Sequence, residues 1–481
     1  MGLAGIVLAL ALLMWLAYRG WSVLLLSPAA ALLAAAISGE PLLAHWTQTF
    51  MPGAARFIAQ WFPMFLLGGL FGKLMDDSGS IKSIANFLTA KLGVRRTMLS
   101  VVLASAVVTY GGVSVFVAFF VLVPMTRELF RAANIPARLM PAAIGLGAFT
   151  FTMSVMPGTP SVNNAIPMPY FGTTTFAAPG LGIVTSIVIA AFGMWWLKRA
   201  EARARHAGEV YVDTADTAPV IDEMSRERAT AAGDFDPAEF EHGKRSIGEP
   251  PFILALLPLV VVISVNFLMS LLVLPNLDLT FLAADRWGAV TSAAVAGVWS
   301  VVVALTAAIV TLIVINYRRL PSLRESLDAG AKGSVLPIMT VASLVGFGAV
   351  IAALPAFKAV QDAVLEVPGG PLVSLVVAMN ALAGLTGTAS GGMAIVLNTL
   401  GETYMQLATE HGIDPALMHR LTTISAGTLD ALPHNGTVLL LLQISHLTHR
   451  ESYLDMVMTV IVSVIIGLAV AFVLGSTFGS F

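Results

Sequence analysis

Residues 371–408 read PLVSLVVAMNALAGLTGTASGGMAIVLNTLGETYMQLA. Two apolar arms flank a polar break, Thr386-Gly387-Thr388-Ala389-Ser390-Gly391-Gly392. From Ala359 to His419 there is no Lys or Arg, while Asp362, Glu366, Glu402, Glu410 and Asp414 are present. Basic residues concentrate on the cytoplasmic side of membrane proteins, so both ends of this segment read as external. An apolar segment that starts and ends on one side is a re-entrant helical hairpin. Segment 97–125 has the same form, broken at Tyr110-Gly111-Gly112. Its leading piece, as helix, spans roughly 20 Å, too short for a hydrocarbon core of about 30 Å. Arg95 and Arg96 precede it, and Arg127, Arg131 and Arg138 follow it. This hairpin therefore enters from the cytoplasmic face, opposite to the first.

The two segments belong to an internal repeat. Gly112 and Gly391 are 279 positions apart, and so are Pro136 and Pro415. Thr152-Met153-Ser154-Val155-Met156-Pro157 matches Thr428-Leu429-Asp430-Ala431-Leu432-Pro433 with a three-residue slip. Apolar runs predict crossings near 3–18, 22–38, 56–72, 139–171 and 176–197, then near 252–274, 288–316, 334–353, 420–446 and 454–479. Each half thus holds five crossings and one hairpin. Five is odd, so the second copy is inverted, the organisation of secondary transporters with discontinuous helices near the midplane.

Bulk composition agrees with an all-α polytopic membrane protein. Of 481 residues 57% are hydrophobic and 11% charged, against about 25% charged in soluble domains. The first apolar run has no basic region before it, so it reads as a retained helix rather than a cleaved signal. The net charge of −2 argues against a nucleic-acid partner, and the absence of cysteine excludes thiolate metal sites and disulfides. No phosphate-binding loop is present to support direct drive by ATP. Asp76-Asp77 reads as a solvated loop, and His446 with His449 as an interfacial helix end rather than a metal site. Residues 198–249 carry 8 Lys/Arg and 12 Asp/Glu. They read as a solvated, flexible cytoplasmic linker between an N-terminal repeat, 1–197, and a C-terminal repeat, 250–481.

Four breaks interrupt apolar segments: the two hairpin tips, residues 157–164 and residues 430–437. Broken backbone at membrane depth is tolerated only where it is buried in protein or lines a polar cavity. Each break frees amide N–H groups at the start of the following half-helix, and these attract anions. Candidate substrate ligands are therefore Gly111, Gly112, Ser114, Thr159, Ser161, Asn163 and Asn164 in the first half. In the second they are Thr388, Ser390, Gly391, Gly392, Asn435, Gly436 and Thr437. No Lys or Arg lies within a break, so the lining suits a small acid or a multi-hydroxyl ligand. Close helix packing is the alternative role for the small residues. Ionisable groups inside a membrane are costly and usually functional. Asp430 and His434, four apart around a break, are candidates for proton coupling; Glu402 in the second hairpin is a further candidate, with an external surface position as the alternative.

Thr109-Tyr110-Gly111-Gly112-Val113-Ser114, Gly147 to Met153, Pro157-Gly158-Thr159-Pro160, Ser390-Gly391-Gly392 and Leu432-Pro433-His434-Asn435-Gly436 resemble the gluconate:proton symporter family, over most of both halves and outside the linker. The resemblance implies a proton-coupled symporter in a bacterial inner membrane, within the ion transporter superfamily. Its substrates are sugar acids such as gluconate or short hydroxy acids such as 3-hydroxybutyrate, and this sequence is closer to the hydroxy-acid branch. It also implies a homodimer with a scaffold and a mobile domain bearing both hairpins. No cofactor is expected beyond the coupling ion. Relatives often carry Asp in the slot of Ser154, so here only the second copy keeps that carboxylate, at Asp430. Sodium coupling is the second reading, since freed carbonyls can hold Na⁺. An intramembrane enzyme using Asp430 and His434 is the third, and the inverted repeat argues against it.

Overall fold

A computed structural model describes residues 2–19, 21–93, 96–212, 223–232, 235–240, 242–246, 248–429 and 431–481. The described secondary structure is helical throughout, without strands. The first half runs α1 (Gly2–Tyr18), α2 (Val23–Ile37), α3 (Leu42–Asp77), the short α4 (Ser80–Leu92), and the hairpin α5 (Thr97–Tyr110) and α6 (Val115–Ala133). The interrupted segment α7 (Met140–Ala148), α8 (Phe151–Ser154), α9 (Val162–Ala165) and α10 (Met168–Phe171) follows, then α11 (Pro179–His206). After α12 (Glu223–Ala232) come α13 (Phe252–Asn276), α14 (Ser292–Arg319), α15 (Leu323–Ala353) and the short α16 (Phe357–Leu365). The hairpin α17 (Pro371–Thr386) and α18 (Ala389–His411) is followed by the interrupted pair α19 (Pro415–Thr428) and α20 (Gly436–Ser445), and α21 (His449–Phe478) closes the chain.

Among the described residues α3, α11, α13, α14, α15 and α21 are long and apolar enough to cross a bilayer. Several helices outrun the apolar windows that locate them. The run 56–72 widens to Leu42–Asp77 and 334–353 to Leu323–Ala353, because charged residues at the helix ends find partners instead of ending the helix. Lys73 donates to Asp77 at 3.0 Å, with both side chains buried. Asp76 accepts from Arg245 at 3.1 Å. The Asp76-Asp77 pair is thus a buried helix end and not a solvated loop.

The partner that buries it is the segment between the halves. α11 extends it to His206, and its later part is docked on the protein. Phe240 stacks on Phe120 at 3.8 Å between ring centres, and its carbonyl accepts from Lys73 at 2.8 Å. The Phe235 ring lies against Gly333, whose carbonyl accepts the Asp236 N–H at 2.6 Å. Arg226 grips Asp236 with two bonds of 2.9 and 2.5 Å. Charge-rich composition is read as solvated because it buries little apolar surface by itself. Here a few aromatics and paired charges are enough to seat it.

In both hairpins the two arms pack on each other. Each tip turns at a glycine in the left-handed region, Gly112 with φ +91° and Gly387 with φ +68°, where a side chain would be strained.

Candidate substrate site

Each tip rests on the break of its own half. In the first half the Tyr110 hydroxyl donates to the Pro157 carbonyl at 2.8 Å, and Pro160 abuts Gly112. Thr109 donates to Thr152 at 3.0 Å. The equivalent threonine of the second half, Thr428, donates to Asn380 on α17, so both interrupted segments are pinned to a hairpin arm through this position. In the second half Asn435 donates to the Gly387 carbonyl at 2.8 Å, and the His434 ring covers Gly387.

The first break differs from the expectation of a half-helix with an open N-terminus. Pro167 and Pro169 cut the chain after it into two single turns, α9 and α10, because proline removes an N–H and blocks helix continuation. The freed backbone is instead satisfied by side chains. Asn164 donates to the carbonyls of Thr159 and Thr175 at 3.1 and 3.0 Å. Asn266 donates to the Gly158 carbonyl at 3.1 Å and to the Thr175 hydroxyl at 2.9 Å. Arg420, wholly buried, donates to Ala177 and Thr175 carbonyls at 2.6 and 3.3 Å and to the Asn164 side-chain oxygen at 3.1 Å. His419 lies 2.6 Å from the Thr173 hydroxyl. Ser161 accepts from the Asn163 N–H at 3.3 Å and Thr159 accepts from the Ser161 N–H at 3.4 Å. Gly111, Ser114 and Asn163 are buried, Gly111 against Leu259 and Ser114 against Gly72.

The second break is built differently. Asn435 caps α20, accepting from the Thr437 N–H at 2.7 Å and the Val438 N–H at 3.4 Å. Thr388 caps α18 and pairs with Ser390 at 3.1 Å, above buried Gly391 and Gly392. A cavity opens between tip and break. Its walls include Thr386, Gly387, Thr388, His434 and Gly436, apolar residues such as Leu13, Met14, Trp21 and Leu344, and Glu227 and Arg228 of α12. It leaves about 30 Å³ for water centres, room for one or two waters.

Asp430 lies outside the described residues. Glu402 is exposed on the far part of α18, away from the tip. Among the described residues no cluster of three or more His, Asp or Glu could hold a metal. Sequence reasoning missed Arg420, Asn266 and α12. Arg420 stands at the first position of the crossing predicted near 420–446, directly after a long stretch without Lys or Arg. A signal for burial was available: Asp414 caps α19, so Arg420 sits more than a turn inside the helix.

An uncharacterized transporter of Bacillus subtilis, YxjC, is 38% identical over 457 residues, 94% of each chain. The high-affinity gluconate transporter of Escherichia coli is 33% identical over 136 residues, covering 27% of this chain and 30% of its own. The chain is a permease of the GntP type. No protein-family model matches it. Two solved structures share the fold of this permease. The YdaH transporter of Alcanivorax borkumensis, whose topology is described as unusual, has a TM-score of 0.53 at 16% identity, over 89% of this chain and 88% of its own. MtrF of Neisseria gonorrhoeae, from a class of antimetabolite efflux pumps, has a TM-score of 0.57 at 14% identity, over 91% and 84%. These relatives and neighbours are transporters, so the GntP-type permease is a multi-pass membrane transporter and not an enzyme.

Proposed function

We propose that this permease carries a small hydroxylated monocarboxylate, gluconate-like or 3-hydroxybutyrate-like, in symport with protons across a bacterial inner membrane. The observation that carries the reading is the second break. There a glycine-rich tip, a capped half-helix and a small cavity meet, with the Thr386 and Thr388 hydroxyls and His434 as polar groups in an otherwise largely apolar wall. The N-terminal end of α20 favours a carboxylate through its dipole, although the Thr437 and Val438 N–H groups are already bonded to Asn435. The partial match to a gluconate transporter supports the substrate class.

The two halves share one order of elements: two helices, a long helix, a short helix, a hairpin, an interrupted segment and a closing helix. With an odd number of crossings in each, and with the basic flanks of 97–125 absent from 371–408, the second half is inverted and the linker is cytoplasmic. Alternating access then comes from movement of the hairpin-bearing part against the rest, in a homodimer. Asp430 and His434 carry or gate the proton.

The test is uptake into proteoliposomes of labelled gluconate and 3-hydroxybutyrate, with proton and sodium gradients imposed separately. Accumulation under a proton gradient alone is expected. Accumulation under a sodium gradient alone would replace the proton by sodium, and transport of neither acid would remove the substrate class.

A further inference from the structure

The charge-rich segment between the halves reaches the second break. α12 reads EMSRERATAA, a polar helix packed against α20, α15 and α18. Gly436 shows how near it comes. A Cβ there would stand 1.9 Å from the Arg228 carbonyl oxygen and 2.7 Å from the Ala229 nitrogen, so only glycine lets the helix seat. Polar backbone and charge are held at such a place only where protein or a water-filled cavity receives them. α12 therefore occupies a vestibule rather than a lipid-facing surface.

We propose that α12 is a cytoplasmic lid over the second break, and that Arg228 is the cation it brings to an anionic substrate; this rests on the reading of that break as the transport site. Arg228 lines the cavity together with Thr386, Thr388 and His434. None of the four breaks contains Lys or Arg, and Arg420 spends its N–H groups on the first break. Glu227 lines the same cavity, so the lid brings no net charge into it while the site is empty. With α12 seated, the space of about 30 Å³ is far below the several hundred Å³ usual for a ligand pocket. A hydroxy acid enters or leaves only when the lid shifts. The anchor it pivots on is the Arg226–Asp236 pair, fixed to α15 through Gly333.

The chain has no cysteine, so Thr386→Cys places a single thiol in the cavity wall. The full-length variant is labelled in inside-out vesicles with an anionic and a cationic membrane-impermeant thiosulfonate of similar size. Ala229→Pro, which breaks α12, is expected to speed labelling by both reagents several-fold. Arg228→Gln is expected to lower the preference for the anionic reagent about tenfold, the effect of one charge acting through roughly 6 Å of water on probes of opposite sign. Arg228→Lys keeps the preference. Unchanged rates in Ala229→Pro overturn the lid, and an unchanged preference in Arg228→Gln overturns the role of its charge. Neither readout depends on transport, so a negative uptake screen leaves both interpretable.

Discussion

The two breaks occupy equivalent places in the two halves, yet one is filled by the protein's own side chains and the other keeps a small cavity. Around the first, Asn164, Asn266 and Arg420 fill the carbonyls that the interruption exposes, and the chain beyond consists of single turns. A ligand there would have to displace bonds already made, at a cost of about 1–3 kcal/mol for each buried group left unpaired. Around the second, a half-helix keeps its capped start, and a cavity remains with a polar helix at its edge. The difference teaches that a repeated backbone plan does not repeat a site. Side chains from outside the repeat motif decide which copy is a fixed joint and which can exchange partners.

The largest expected effect falls on the second break. Asp430→Asn abolishes uptake driven by a pH gradient while leaving exchange of substrate across the membrane. Normal uphill transport in this variant would sink the assignment of the proton to the second half. Its counterpart in the first half is stability. Arg420→Gln removes a wholly buried cation and its bonds to the Ala177 carbonyl, while the Thr175 carbonyl keeps those from Asn164 and Gly158. The expected loss is about 1–3 kcal/mol, the cost of a buried acceptor left unpaired, read as a lower unfolding temperature in detergent. If the variant unfolds with the parent, the first break is not a load-carrying joint and the contrast between the halves fails.

The positions of both hairpins and both breaks were legible because glycine, proline and hydroxyl residues interrupt apolar runs in a way that simple spans do not tolerate. Their pairing within each half, Tyr110 with Pro157 and Gly387 with Asn435, emerges only from the structure. What fills the breaks was not legible either. Arg420 and Asn266 act across more than a hundred residues of sequence; the Asp414 cap places Arg420 inside a helix, but no local pattern names the carbonyls it fills. The linker misled for a related reason. Among its described residues charges pair with each other and with neighbouring helices and its aromatics are few, so composition suggests solvent, whereas Phe235, Phe240 and Ala229 are buried. Asp76 and Asp77 were misread with it, since their burial depends on that docking.

The smallest prediction sharpens the contrast most directly, because each break ends on an N-cap. Asn435 accepts two N–H groups at the start of the ten-residue α20 and also holds the opposite tip through Gly387. Ser161 accepts one, at 3.3 Å, before the four-residue α9. A cap stabilises by satisfying N–H groups that the helix leaves free, typically by about 1 kcal/mol. Asn435→Ala is therefore expected to cost roughly 1–2 kcal/mol and to lower uptake, because it also frees the tip. Ser161→Ala is expected to cost no more than about 0.5 kcal/mol, at the low end for a cap, and to leave uptake near the parent value. Thermal unfolding and uptake measured on the same two preparations check both. Equal effects in the two variants would mean that the caps do equivalent work, and that the second break is distinguished by its lid and cavity rather than by its half-helix.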